Sequence, residues 1–311
     1  MRPLIVFLKE PPRLPFVRIH RIGFVFSLIL VLGSLGLLMT RGLNYGIDFR
    51  GGIVMEVKST SGPADLEAMR KTVDGLGLGD AALQTFGSPD DVLLRLPRQP
   101  GDDAAQNKAV EIVRKTLGSK YDYRRTEVVG PKVGSELIHA GFMATLFAIL
   151  AIAAYVWFRF EWQFGIGAVV SIFHDVVTTL GLFSLLQLEF NLATLAAILT
   201  IAGYSINDKV VIFDRIREEL RKYKSLAFEK ILELSINETL SRTVLTAGVT
   251  GLAVLALLLF GGEVIRGFSA AMLWGIVIGT YSSIFIGAPL LLYVRPRQSG
   301  KPGEPKKEKA A

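Results

Sequence analysis

An acidic residue, Asp208, lies toward the end of a long apolar stretch, within residues 201–213. A carboxylate is costly to hold in a bilayer, so an intramembrane acid usually faces a bundle interior or a water-filled path, where it handles ions or protons. We therefore predict that Asp208 binds and releases protons. The alternative for such an acid is a hydrogen-bonded residue that only packs helices together.

A polar stripe occurs in the preceding apolar block. Ser171, Asp175, Thr178 and Thr179 share one helical face because they are three or four residues apart, and His174 precedes the acid. The spacing leaves two interpretations of Asp175 open. It is either a helix-packing residue or a second member of a proton-coupling site.

Polar residues also surround Asp208 on its own helix. Tyr204 is four residues before Asp208, while Gly203 and Asn207 lie four apart on the adjoining face. We expect Gly203 to let a neighbouring helix approach closely. The residues that we assign supporting roles around the acid are Tyr204, Ser205, Asn207, Gly203 and His174.

Arg242 is the predicted cationic partner of Asp208. The two residues flank the intervening segment at nearly equal distances, so antiparallel helices place both in the same half of the membrane. The arginine charge and the apolar surroundings would act on the carboxylate in opposite senses, which would make the site switchable. Lys209 points about 100° away from Asp208 on a helix, and we expect it to snorkel to the inner interface.

The elements that must position these residues are membrane helices. Half of the 311 residues are hydrophobic and the mean hydropathy is +0.42, which is too apolar for an ordinary soluble protein. The apolar residues form blocks that can cross a hydrocarbon core of roughly 30 Å. Six spans are predicted, at residues 23–40, 137–158, 164–187, 192–213, 240–261 and 267–294.

Charge gives the predicted orientation. The net charge is +7, but residues 41–136 carry as many basic as acidic side chains, and the surplus lies mostly in residues 1–22 and 295–311. This distribution argues against nucleic acid as a partner and follows the positive-inside rule. We expect both termini to be cytoplasmic, with lipid around the helices, residues 41–136 on the outer side of the membrane, and residues 295–311 a disordered basic tail.

The outer segment reads as a small α+β domain. Strands are predicted at 53–58, 82–86, 92–96 and 121–129, helices at 64–76 and 104–117, and a turn at 87–91. The order βαββαβ predicts a ferredoxin-like domain between spans one and two. On the inner side, charged residues 214–238 are expected to form a solvated amphipathic helix that caps the bundle, and the alternative is a segment that binds a partner.

Several chemistries find no support. The chain has no cysteine, so it has no thiolate metal site, and it has no Walker-type loop. The glycine-flanked run 46–52, with Gly46, Asp48, Gly51 and Gly52, does not follow a strand or open a helix, so it fails as a nucleotide motif. We expect instead a tight turn from the membrane into the outer domain. No catalytic constellation, metal or cofactor is predicted, and we expect a transport protein rather than an enzyme.

Three stretches, residues 46–52, 203–218 and 241–243, resemble the SecF family of membrane proteins that accompany the Sec translocon. The six-span layout with one outer loop also matches. Departures are Lys209, where the family often has Thr or Ser, and Arg50, which is Thr or Lys in many members.

The resemblance implies a protein of the resistance-nodulation-division superfamily that works in protein export. Its implied partners are a SecD-like subunit, the SecYEG channel, YajC and YidC-type accessory proteins, and an unfolded preprotein. Proton-motive force would drive the late stage of translocation, with Asp208 and Arg242 on the proton path. One six-span unit is also what half of an internally repeated transporter looks like, which predicts a partner half.

Two other functions remain open from the residues alone. One is a half-size proton-coupled exporter of small molecules or lipids, which would need an apolar substrate pocket. The other is a non-transporting scaffold of a channel complex, in which the buried acids serve only helix packing.

Overall fold

The computed structural model describes residues 12–294. Residues 1–11 of the predicted cytoplasmic N-terminal segment and the predicted disordered tail at 295–311 lie outside the described residues. In chain order the elements are α1 (His20–Thr40), β1 (Asn44–Tyr45), α2 (Ile47–Arg50), β2 (Gly52–Ser59), α3 (Leu66–Asp74), β3 (Ala82–Phe86), β4 (Ser88–Leu96), α4 (Asp103–Leu117), β5 (Tyr121–Val129), α5 (Pro131–Arg159), α6 (Trp162–Leu186), β6 (Glu189–Phe190), α7 (Leu192–Lys222), α8 (Phe228–Phe260), α9 (Glu263–Ser282) and α10 (Ala288–Leu290).

Within the described residues, six helices are long and apolar enough to cross a membrane: α1, α5, α6, α7, α8, and α9 continued through α10. This confirms a polytopic α-helical membrane protein. Helices α6, α7 and α9 are the most buried and form the centre of the bundle, whereas α1, α5 and α8 expose most of their apolar surface. The central helices therefore carry the polar residues, and the outer ones face lipid or another protein.

The predicted capping helix at 214–238 is wrong. Helix α7 runs on to Lys222 and α8 begins at Phe228, so only residues 223–227 connect them. The charged residues belong to these extensions, where Arg215 binds Glu238 at 2.5 Å and Glu219 at 3.0 Å. The ion pair of Arg215 with Glu238 between the extensions, the pair with Glu219 within α7, and unbroken helical hydrogen bonds explain why the charged sequence does not interrupt either helix.

The last predicted span, 267–294, is not one regular helix. Helix α9 ends at Ser282, a π-helical turn follows at Ser283–Gly287, and α10 completes the span. Pro289 lies in α10, and proline lacks the N–H that a regular α-helix would use. Such π-helical turns occur often at functional sites, and this one directly follows Ser282.

The outer segment forms a four-stranded antiparallel sheet in the order β3-β4-β2-β5, with α3 and α4 between the strands in sequence. Burial alternates along β2 because successive side chains point to opposite faces. Asp65 and Asp102 cap the two helices by accepting hydrogen bonds from backbone N–H groups. The apolar core joins one sheet face to both helices and includes Ile53, Met55, Val57, Met69, Val73, Leu94 and Val113.

The turn predicted at 87–91 is wrong in extent. Strand β4 begins at Ser88, so only Gly87 separates it from β3, and the pairing register shifts between Thr85 and Phe86. Gly87 has φ +69°, a left-handed conformation that glycine adopts without strain. The two strands are therefore joined more tightly than the Ser, Pro and Asp residues of this segment suggest.

The glycine-flanked run connects the outer sheet to the bundle. It contains the helical turn α2, contrary to the expectation that it opens no helix, and it is preceded by β1, which pairs in parallel with β6. Gly51 and Gly52 have φ values of +74° and +132°. These left-handed conformations let the chain turn from α2 directly into β2.

Candidate functional site

Asp208 lies in α7 with only 4% of its surface exposed. Within residues 12–294, its Oδ2 atom is buried without a hydrogen-bond partner, and the hydroxyl of Tyr204, one helical turn earlier, is in the same condition. Two polar atoms on one stripe of a membrane helix thus lack the partner that buried groups normally have. The free carboxylate oxygen is able to take up a proton.

Arg242 lies on α8 and is exposed. Across the described part of the chain, no ion pair within 4.0 Å joins it to Asp208, although the charges of Arg242 and Lys209 both act on that carboxylate. Arg242 therefore acts on Asp208 through longer-range electrostatics and not through a direct contact. The guanidinium remains available to another molecule on the outside of this bundle.

Asp175 lies in α6, is completely buried, and has a direct cationic partner. Its Oδ2 atom is 3.2 Å from Nζ of Lys209. The same oxygen accepts hydrogen bonds from the hydroxyls of Ser205 at 2.6 Å and Ser282 at 2.9 Å. Nδ1 of His174 lies 3.1 Å from Oδ1. Residues from α6, α7 and α9 thus converge on one carboxylate.

The predicted snorkelling of Lys209 is wrong. The side chain has no exposed surface, and its ammonium donates to Asp175, to the hydroxyl of Ser205 and to the hydroxyl of Ser282 at 3.1 Å. It turns inward because Ser205 precedes it by one helical turn and provides an acceptor on the same face. Lys209 therefore neutralises Asp175 and not Asp208 by contact.

The polar stripe on α6 is buried along its whole length, as its spacing indicates. Thr179 and Thr178 donate to the backbone carbonyl of Asp175 at 2.7 and 3.1 Å, and Ser171 donates to that of Gly167 at 2.7 Å. These hydroxyls satisfy themselves on their own helix. They leave the carboxylate of Asp175 free for partners on α7 and α9.

Small residues on α9 explain how Lys209 reaches a third helix. Gly275 faces Ile201, and a Cβ at Gly279 would lie 3.0 Å from Oγ of Ser205. Glycines four residues apart let two membrane helices approach closely. We call this close contact of α7 with α9 at Gly275 and Gly279 the α7–α9 seam. It places Ser282 within hydrogen-bond distance of the Lys209 ammonium group.

Gly203 and Asn207 face away from the bundle. Both residues are exposed, and a Cβ at Gly203 would meet nothing within 4 Å. The expected close approach of a helix at Gly203 is therefore not found between the helices of residues 12–294. Gly275 and Gly279 have that role instead.

The glycine-flanked run, residues 46–52, contacts the N-terminal end of α7. Oδ2 of Asp48 accepts a hydrogen bond from the backbone N–H of Leu192 at 2.8 Å, at the first residue of α7. A carboxylate there satisfies a free N–H and interacts favourably with the helix dipole. Gly46 packs against the side chains of Glu189 and Asn191, leaving no room for a Cβ.

A cavity of about 530 Å³ separates the open face of the outer sheet from the outer end of the bundle. Its walls combine charged and polar side chains with apolar ones, and an ion pair between Arg95 of β4 and Glu189 of β6 bridges them. No group of three or more His, Cys, Asp or Glu side chains among residues 12–294 is placed to hold a metal ion.

Sequence reasoning missed Ser282 and the destination of Lys209. A usable signal existed for each. Ser205 and Lys209 are four residues apart, and Ser282 follows a pair of glycines with small-residue spacing. Only the crossing of the three helices brings these signals together.

Comparison with known proteins supports the resemblance noted above. Residues 109–297 match the family model "Protein export membrane protein SecD/SecF, C-terminal", and residues 36–62 match "SecD/SecF GG Motif". Protein translocase subunit SecF of Rickettsia rickettsii is 49% identical over 292 residues, covering 92% of this chain and 93% of the relative. SecF of Desulfurispirillum indicum is 47% identical over 293 residues, covering 91% and 92%.

Two solved structures are also similar. The crystal structure of SecDF from Thermus thermophilus, a translocon-associated membrane protein, aligns with a TM-score of 0.81 and 36% identity over 96% of this chain. SecDF in its super-membrane-facing form gives 0.70 and 36% over 94%. In both cases the chain spans only 40% of the length of the solved chain. The family models and the relatives agree over nearly the whole sequence, and the chain belongs to the SecD/SecF family of protein-export membrane proteins, as a SecF.

Proposed function

We propose that this chain is an accessory subunit of the Sec protein translocase that couples proton-motive force to late-stage preprotein translocation. The observation that carries the proposal is Asp208, a buried intramembrane carboxylate that, among residues 12–294, has one unpartnered oxygen and no cation in direct contact. Intramembrane acids of this kind characterise proton paths. One proton that crosses 100 mV supplies about 2.3 kcal/mol.

Arg242 has the second role at the site. It is close enough to act on Asp208 electrostatically, and its side chain is exposed. An approach of the guanidinium would favour release of the proton, and its withdrawal would favour uptake. A change in helix packing that shifts Arg242 would thus be coupled to the protonation of Asp208.

A SecD-like subunit is the proposed partner half. The residues that support this are Gly203, Asn207 and Arg242, which lie exposed on α7 and α8 beside the acid. Transporters with internal repeats place coupling sites at the interface between repeats. The solved SecDF chains, more than twice as long as this one, are consistent with a second half. The SecYEG channel, YajC, YidC-type proteins and an unfolded preprotein are the further proposed partners.

The proposed location is the bacterial inner membrane, with both termini cytoplasmic and the outer domain periplasmic. Arg13 and Arg18, which precede α1, and Arg21 in its first turn support this orientation through the positive-inside rule. The outer domain is proposed to be ferredoxin-like. Its support is the βαββαβ element order and an antiparallel sheet in the order β3-β4-β2-β5.

The competing functions have weaker support. An exporter of lipids or small apolar molecules would need an apolar pocket, but the cavity beneath the outer sheet is lined largely by charged and polar residues. A scaffold would hold its buried acids in satisfied hydrogen bonds. That description fits Asp175 and does not fit Asp208.

The test is export by the complex with its SecD-like partner and SecYEG in vesicles, with and without a proton gradient. Asp208→Asn should abolish the stimulation by the gradient while leaving ATP-driven export intact. Asp214→Asn is the matched control, because Asp214 is an exposed acid on the same helix that pairs with Arg159 at 3.1 Å. Gradient-stimulated export by the Asp208→Asn complex at the native rate would refute the proposal.

A further inference from the structure

We propose that Lys209 and Asp175 form a permanent ion pair that fixes Asp175 as a counterion, so that Asp208 alone of these two acids exchanges protons. Lys209 is then a positioning residue: it keeps Asp175 in a structural ion pair and leaves Asp208 as the acid that exchanges protons. The part that concerns Asp208 rests on the proposed function, whereas the ion pair stands on the contacts alone.

The ammonium group of Lys209 has acceptors for all of its hydrogen-bond donors. An ammonium group has three N–H donors, and here three acceptor side chains surround it: Asp175, Ser205 and Ser282. The two serine hydroxyls also donate to the same carboxylate oxygen. Each polar group therefore has partners on both sides. Oδ2 of Asp208, by contrast, has no hydrogen-bond partner in the described part of the chain.

Both members of the ion pair are buried. Lys209 and Asp175 each have 0% side-chain exposure, so neither charge can reach water without separation of the helices. A buried charge without its partner is strongly unfavourable, while the pair and its joint replacement by neutral residues are both tolerated. The two charges consequently depend on each other.

Few other charged or titratable groups of the described residues lie close to Lys209 and Asp175. His174 contacts the other oxygen of Asp175 and comes from the same helix. Among the described residues, α9 contributes the hydroxyl of Ser282, and Tyr281 lies beyond His174 with its own hydroxyl bonded to Ser27 and Gly23 of α1. Arg242 of α8 acts on Asp208 instead. Lys209 is therefore the only cation that contacts Asp175 in the described part of the chain, apart from a protonated His174.

The pair also clamps three helices. Asp175 is on α6, Lys209 on α7 and Ser282 on α9, and the α7–α9 seam holds them at contact distance. The clamp lies one residue from Asp208 along α7. Motion during proton exchange would then occur between this rigid three-helix unit and α8 or a partner, rather than inside the unit.

A double-mutant cycle with Asp175→Asn, Lys209→Ser and the double variant tests the pair. Thermal unfolding of the purified complex with the SecD-like partner is the measurement. Each single variant should shift the unfolding equilibrium by on the order of a hundredfold or more, because it leaves one buried charge alone. The double variant should recover most of that loss.

The control cycle uses an exposed pair between two membrane helices, Arg159 and Asp214, which are 3.1 Å apart. Arg159→Ser and Asp214→Asn should be nearly additive there. Additive effects at Lys209 and Asp175, or a double variant as unstable as Asp175→Asn, would overturn the proposal.

Infrared difference spectra between two pH values separate the two acids by a signal that a purely structural role would not change. The carbonyl band of a protonated carboxyl group that titrates should be lost in Asp208→Asn and kept in the Asp175→Asn/Lys209→Ser double variant. Loss of the band in the double variant would overturn the assignment of Asp175. Strong coupling in the stability cycle without any titrating band would instead refute the proton function and keep the ion pair.

Discussion

Gly279→Ala tests whether the α7–α9 seam is as close as the buried network requires. A Cβ at this position would lie 3.0 Å from Oγ and 3.2 Å from Cβ of Ser205. Both distances are shorter than ordinary van der Waals contact, so either the helices separate or the serine moves. Because Oγ of Ser205 donates to Asp175 at 2.6 Å, either response disturbs the ion pair with Lys209.

The magnitude follows from two opposing terms. Alanine in place of glycine inside a helix is favourable by about 1 kcal/mol. Extra volume in a close-packed interior costs about 1–3 kcal/mol. Gly203→Ala is the matched control, because Gly203 lies inside α7, is exposed, and has nothing within 4 Å of the added methyl group. The difference between the two variants isolates the packing cost, and we expect about 1–3 kcal/mol.

The assay is equilibrium unfolding of the full chain in detergent micelles, followed by circular dichroism. Gly203→Ala should be as stable as the native chain or slightly more stable, and Gly279→Ala should be less stable than Gly203→Ala. If Gly279→Ala proved as stable as the control, the seam would not be close-packed, and the account of how Lys209 reaches Ser282 would fail.

Two further predictions concern the outer part of the molecule. Asp48→Ala should destabilise the start of α7 by about 1 kcal/mol, because the backbone N–H of Leu192 loses its acceptor, whereas Asp48→Asn keeps an acceptor. Amide hydrogen exchange in the first turn of α7 should therefore be faster in Asp48→Ala than in Asp48→Asn. Equal exchange rates in the two variants would contradict this prediction. The hydrogen bond from Lys58, together with one from Ser88, lowers the pKa of Asp90 from 3.8 to about 2. Because that pKa is lower in the folded state, the stability it contributes is complete above about pH 4 and is lost as the pH falls through about 2. Lys58→Gln should raise the pKa of Asp90 in an NMR titration, and an unchanged titration would show that Lys58 does not stabilise the carboxylate.

Local patterns in the sequence account for the elements. Long apolar runs predict membrane helices because only a helix satisfies its own backbone in lipid, and residues 12–294 contain six such helices. Period-two alternation and turn residues place the outer strands and helices to within a few residues, with β3 and β5 matched at both ends. The errors lie where local signals mislead: charged residues after Phe213 suggest a separate capping helix, yet they extend α7 and α8, which the ion pair of Arg215 with Glu238 joins.

The sequence by itself determined that Asp208 is an acid within a membrane helix, because the apolar length around it and the cost of charge in lipid are properties of the chain alone. It also placed the stripe around Asp175 on one buried face. Only the tertiary structure decided which acid Lys209 neutralises. A lysine side chain is long enough to reach either lipid headgroups or a neighbouring helix, and the choice depends on how closely α7, α6 and α9 cross. That crossing distance is set by glycines far away in sequence, which no pattern within α7 contains.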